Sequence, residues 1–134
     1  MIRWRDKVKH RDVYDYYRGL IALRCAHPLF RLETAAEVRR AVWFFDDQLR
    51  LTVPPGCVAY LIEDPTGKDS WSRAIVLLNA TARLNQIDLP EGNWQVFGDS
   101  REVSLLPLKL RTNMISDGNA VVAPRSALIL GEPR

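Results

Sequence analysis

Cysteine and histidine are nearly missing from this chain of 134 residues, which holds two of each. Cys25 and Cys57 are too few for a disulfide framework, and neither has a partner at zinc-ligand spacing. Two unpaired thiols tilt the compartment toward the reducing cytoplasm. His10 and His27 are the only histidines, and with no Cys/His/Asp cluster the expectation is no metal and no cofactor. No apolar run approaches the roughly 20 residues that cross a bilayer, so no membrane partner is expected. The start, Met1 to Lys7, is charged and lacks the apolar core of a signal peptide, which says nothing about secretion if Met1 lies inside a longer protein. Glycine-rich phosphate loops, nucleophile elbows, internal repeats and low-complexity tracts are also missing. Ser126, after Arg125 in a turn, has no companion histidine and is not a nucleophile candidate.

Charge is modest and uneven. The net value is +3, with ten Lys/Arg against five Asp/Glu in residues 1–40 and nine against eleven in the remainder. A basic segment that also carries Trp4, Tyr14, Tyr16 and Tyr17 raises nucleic-acid binding. On a helix, however, these charges fall on the solvated face opposite an apolar stripe, so no nucleic-acid partner is expected.

That stripe is the clearest feature present. Val13, Tyr16, Tyr17, Leu20, Ile21 and Leu23 recur at three- and four-residue spacing, which predicts one long amphipathic helix over Asp12–Ala26. Asp12 is placed to cap its first turn, and Pro28 stops it while biasing His27 away from helical dihedrals. His27 then reads as a donor to the last helical carbonyls. Thr34-Ala35-Ala36-Glu37 matches a capping box and predicts a short helical turn to about Arg40.

From Val42 onward the chain reads as strands. Val42–Phe45 and Val58–Glu63 are β-branched and aromatic runs, and Leu51–Val53 is a link or edge strand closed by Pro54-Pro55-Gly56. Ala74–Leu78 is continuously apolar, the pattern of a central strand buried on both faces. A polar hairpin tip is expected from Asp64 to Ser72, opened by the turn Asp64-Pro65-Thr66-Gly67. Leu84–Leu89, Trp94–Phe97, Asn119–Ala123 and Ala127–Leu130 complete the set, while Gly98–Gly118 is the least legible stretch. The expected fold is mainly β, an antiparallel β-sandwich of Greek-key type, preceded by one long amphipathic α-helix and a short helical turn. The expected division is 1–33 for the loop, helix and link, and 34–134 for the sandwich. A lone helix ahead of an all-β domain needs a surface for its stripe.

The same residues carry a resemblance. Asp12-Val13-Tyr14-Asp15-Tyr16-Tyr17-Arg18-Gly19-Leu20-Ile21-Ala22-Leu23-Arg24, then Ala26-His27-Pro28 and Phe30-Arg31, resemble the last barrel helix of bacterial type I pullulanases, starch-debranching enzymes of the α-amylase superfamily. Ile2-x-Trp4 is similar to the loop before that helix. Thr34–Arg40, Pro55-Gly56-x-Val58-Ala59-Tyr60, Leu78-Asn79-Ala80, Leu89-Pro90-Glu91-Gly92-x-Trp94-Gln95-Val96 and Ala123-Pro124-Arg125-Ser126-Ala127-Leu128 resemble the C-terminal β-domain of the same enzymes. The ordered series, covering nearly the whole chain, carries the resemblance more than any one motif. It implies the tail of a much larger glycoside hydrolase, with the catalytic (β/α) barrel as its partner.

A glycosidase works with two carboxyl groups flanking the scissile bond on a rigid scaffold. In the superfamily these sit at the ends of barrel strands, which this stretch does not include. Asp12, Asp15, Asp46, Asp47, Asp64 and Asp99 fall instead at caps, turns or solvated helix positions. No catalytic residue is therefore expected in this chain, although the parent it resembles hydrolyses α-1,6-glucosidic branch points. Tryptophans stack on sugars, so two are candidate substrate contacts. Trp71 lies in the polar hairpin tip and is the best candidate for an exposed aromatic, although a tip tryptophan more often folds back on the sheet than binds glycan. Trp4, by resemblance, lies on the side of the barrel where the substrate cleft is built, with a structural anchor as its other reading. Trp43 and Trp94 lie within strands and read as core. The expectation is a non-catalytic domain that packs on and stabilises the barrel; in isolation its helix stripe packs on its own sandwich, swaps between copies or mediates a homodimer. An independent carbohydrate-binding module binding α-glucan, and a small adaptor protein, stand as alternatives.

Overall fold

The computed structural model describes residues 4–109 and 114–134. A short helix α1 (Asp6–Lys9) leads into α2 (Arg11–Ala26), a 3-10 turn at Pro28–Phe30 and helix α3 (Ala35–Ala41). Among the described residues eight strands follow: β1 (Val42–Phe44), β2 (Cys57–Glu63), β3 (Trp71–Asn79), β4 (Asn85–Asp88), β5 (Gln95–Gly98), β6 (Ile115–Ser116), β7 (Asn119–Val122) and β8 (Ser126–Pro133). All strand pairs are antiparallel, in a five-stranded sheet of order β1-β2-β3-β8-β5 and a three-stranded sheet of order β4-β7-β6. The two sheets form the sandwich expected from the strand pattern. β8 returns after several intervening strands to lie beside β3, which closes the larger sheet through a long crossover.

The core has two layers because the large sheet is covered on both faces. Ile75, Leu77, Leu61, Leu128 and Leu130 point to the smaller sheet, where they meet Ile87, Ala120 and Val122. Alternate residues, Ile62, Ala74 and Ile129, point the other way and meet Leu23 and Leu29 from the helical segment. β3 is central and buried on both faces from Ala74 to Leu77, as its unbroken apolar run predicts.

The capping box at α3 forms as predicted: Glu37 N donates to Thr34 Oγ1 at 3.2 Å, and Thr34 N donates to Glu37 Oε2 at 2.9 Å. The Thr34 amide, the Thr34 hydroxyl and the Glu33 amide all donate to the Glu37 carboxyl and hold it below its ordinary range. The main helix differs in its start. It begins at Arg11, His10 takes the N-cap position with no side-chain cap bond, and Asp12 sits inside the first turn, where its charge favours the helix dipole. Leu51–Val53 pairs with nothing as a strand; it turns the chain toward Gly56 under the edge of the core. Residues 110–113 of the least legible stretch lie outside the described residues; the rest of it holds β6 and a bridge between Gly98 and Val103.

Candidate functional site

α2 meets the sheet at a buried polar latch. His27 Nδ1 lies 2.7 Å from Asp69 Oδ1, and both side chains are almost wholly enclosed. The same carboxylate accepts the Leu29 amide at 3.1 Å and the Trp71 amide at 2.9 Å. The His27 ring stacks on Trp71 at 3.6 Å, and Phe97 packs the indole at 4.2 Å. Asp69 N in turn donates to Asp64 Oδ2 at 3.0 Å, and Arg134 Nη2 reaches the same oxygen at 3.0 Å. Burial opposes ionisation of Asp64, but bonds from the Asp69 and Thr66 amides, the Thr66 hydroxyl and Arg134 outweigh it and hold the carboxyl at about 2.

Two expectations are corrected here. Trp71 is not an exposed tip residue: it is only 3% exposed. The register shifts between Trp71 and Arg73, and this bulge turns the indole onto the face of Ala74 rather than outward. With His27 against one part of the ring and Gly131 and Phe97 against others, no face remains for a sugar. His27 serves Asp69 rather than the helix-end carbonyls, so it ties the end of α2 to the β2–β3 hairpin. Asp69 is the residue the sequence reading passed over. Its available signal is Asp69-Ser70-Trp71, an Asp two residues before a strand amide, where a carboxylate readily bonds the backbone.

The stripe of α2 divides in two. Leu23 is buried, and Tyr16 and Leu20 are half-buried toward the sheet. Burial and the nearby Asp99 carboxylate raise the Tyr16 phenol above its ordinary value. Val13, Tyr17 and Ile21, each four residues apart, remain 50%, 63% and 63% exposed. On a helical wheel these six residues span roughly 160°, well beyond the ~100° that one packed face uses. Trp4 is 78% exposed ahead of α1, and Trp4 and Trp71 are not brought together.

Arg73, Glu132 and Asp99 hold strands and loops together. Arg73 Nε bonds Glu132 Oε2 at 2.7 Å. That bond, with the Asn93 amide and the Ser72 hydroxyl, outweighs burial and holds Glu132 at about 2. Asp99 Oδ1 accepts the Arg101 and Glu102 amides at 2.7 and 2.9 Å in a loop. Cys25 and Cys57 are free thiols, and burial raises that of Cys57. Among the described residues no group of three His, Cys, Asp or Glu is placed to hold a metal, and no helix is long and apolar enough to cross a membrane.

The class that results is an antiparallel β-sandwich with a leading helix that is satisfied on one face and open on the other. Residues 50–102 match the family model of the pullulanase all-beta domain. The chain is 33% identical over 87 residues to the pullulanase of Bacillus subtilis, spanning 65% of itself and 11% of that protein. It superposes on pullulanase from Bacillus acidopullulyticus with a TM-score of 0.82 at 29% identity, covering 96% of this chain and 15% of that one. It superposes on pullulanase from Paenibacillus barengoltzii, solved with maltohexaose and α-cyclodextrin, with a TM-score of 0.77 at 32% identity, covering 98% and 18%. The resemblance to bacterial pullulanases read from the sequence therefore holds, and the chain spans less than a fifth of the length of these relatives.

Proposed function

We propose that this chain is the non-catalytic C-terminal β-sandwich domain of a pullulanase-like starch-debranching enzyme, carrying the last helix of the catalytic barrel with it. In this reading residues 1–33 belong to the barrel side and 34–134 form the sandwich. The domain's task is to pack on the barrel and stabilise it, while the parent hydrolyses α-1,6-glucosidic bonds in pullulan, amylopectin and glycogen with residues outside this stretch. Trp4, exposed ahead of the helix, is the chain's candidate approach to the substrate cleft in that assembly. Trp71 is not offered as a glucan contact. The two free thiols keep the cytoplasm as the compartment of choice.

The observation that carries this reading is the open ridge Val13, Tyr17 and Ile21 on a helix whose other side is latched into the sheet. The test places Tyr17→Asp and Ile21→Asp in the intact parent and in the 134-residue chain. The parent is expected to lose thermal stability and pullulan hydrolysis after mild heating, while the chain alone keeps its unfolding temperature. Equal responses in both overturn the reading.

A further inference from the structure

Beside the ridge lies an open cleft of about 780 Å³ between the first turns of α2 and the large sheet. Val13 and Tyr16 form its helical wall, Leu78 and Ala127 its floor, and Arg101 and Arg125 its rim. Two features set it apart. Leu78 belongs to the central strand yet is 40% exposed, and its neighbour across the ladder, Val58, is also exposed, so α2 leaves this end of the sheet uncovered. Both rim guanidinium groups lack an ion pair or side-chain hydrogen bond among the described residues, while Asp12 lines the cleft from the helix start. Arg125 also holds φ at 48°, a left-handed conformation in which glycine is the ordinary choice.

We propose that this cleft seats an acid-bearing apolar segment of the parent polypeptide, with Asp or Glu side chains pairing to Arg101 and Arg125 and an aliphatic or aromatic side chain entering against Val13, Tyr16, Leu78 and Ala127. The inference rests on the reading of the chain as one domain of a longer enzyme. Charge selects the occupant. Two unpaired guanidinium groups call for carboxylates, whereas a glucan is neutral and is recognised by an open aromatic platform, and the cleft's ring, Tyr16, is half-buried against the sheet. The partner has ample length to come from, since the pullulanases matched are several times longer than this chain.

The experiment uses the intact parent enzyme carrying the double reversal Arg101→Glu, Arg125→Glu, with thermolysin cleavage at the domain junction as readout. Release of the domain is expected to quicken about tenfold, the response to a weakened docking equilibrium. The 134-residue chain with the same reversal is expected to unfold at its original temperature, since both side chains are exposed and unpaired. If the reversal leaves release unchanged while Tyr17→Asp with Ile21→Asp quickens it, docking stands and the cleft assignment is overturned. If neither pair changes release, both readings fail. Maltohexaose binding to the chain that Arg125→Glu abolishes, or a concentration-dependent dimer that the reversal disperses, gives the cleft another occupant and overturns the proposal.

Discussion

Asp69 accepts hydrogen bonds from the Leu29 and Trp71 amides and pairs with His27, so a single buried carboxylate joins the end of α2, the chain after it and the start of β3. Removing it leaves two amides and an imidazole enclosed without their acceptor. Asp69→Ala is expected to cost about 3–5 kcal/mol, measured by urea unfolding, with Asp69→Asn recovering part of that loss. A cost below about 1 kcal/mol shows that the latch is ornamental. Asp64 and Glu132 set the acid limit of the fold. Each sits near 2 in the folded chain against ordinary values of 3.8 and 4.5, so the unfolded chain binds protons more tightly. Their contribution is complete above about pH 4.5 and is lost as pH falls toward 2. Urea midpoints taken between pH 6 and pH 2.5 are expected to fall through that window, and Glu132→Gln is expected to flatten the decline. An unchanged profile in Glu132→Gln removes the Arg73–Glu132 pair from the account.

The α2 helix was legible as an element because its apolar positions repeat at helical spacing and Pro28 ends it. Its surroundings were not. The width of the stripe already implied more contact than one sheet provides, but which residues the sheet takes depends on how the 3-10 turn and the latch set the helix down. Gly19 records that placement. A Cβ there would lie 2.6 Å from the Val103 carbonyl oxygen, because the helix crosses the Gly98–Val103 bridge at backbone distance. Gly→Ala inside a helix ordinarily stabilises by up to about 1 kcal/mol. Gly19→Ala is expected to do the reverse, destabilising by about 1–3 kcal/mol in thermal or urea unfolding, because the oxygen belongs to a backbone that cannot step aside. A stabilised variant means that α2 does not rest on the 98–103 loop. The short α3 needed no tertiary information, since Thr34 and Glu37 satisfy each other's donors within one turn.

At the scale of the molecule, the large sheet carries helix on one face and the small sheet on the other, and the helix side carries the exposed ridge Val13, Tyr17 and Ile21. Burying Val13, Tyr17 and Ile21 against a partner is worth about 1.5–3 kcal/mol for each side chain, whereas polar substitutions at open positions cost an isolated domain within about 0.5 kcal/mol. That contrast is why the same Tyr17→Asp and Ile21→Asp changes are expected to lower the melting temperature of the proposed parent by several degrees and leave that of the chain alone in place. Strand identity was largely readable, from β-branched runs and from Pro- and Gly-marked turns. Between an exposed tip and a fold back onto the sheet the sequence does not choose for Trp71, because a bulge of one residue inverts which face a side chain joins, and no local pattern around Trp71 announces it.

By itself the sequence determined the segment types, the capping box, the central buried strand and the likeness to pullulanases, since each rests on neighbours a few residues apart or on an ordered run of them. Tertiary structure alone decided that His27 and Asp69, 42 residues apart, close a latch over Trp71, and that half of the helical stripe stays open. The reason is physical: periodicity specifies which side chains share a face, but only long-range packing specifies what that face meets.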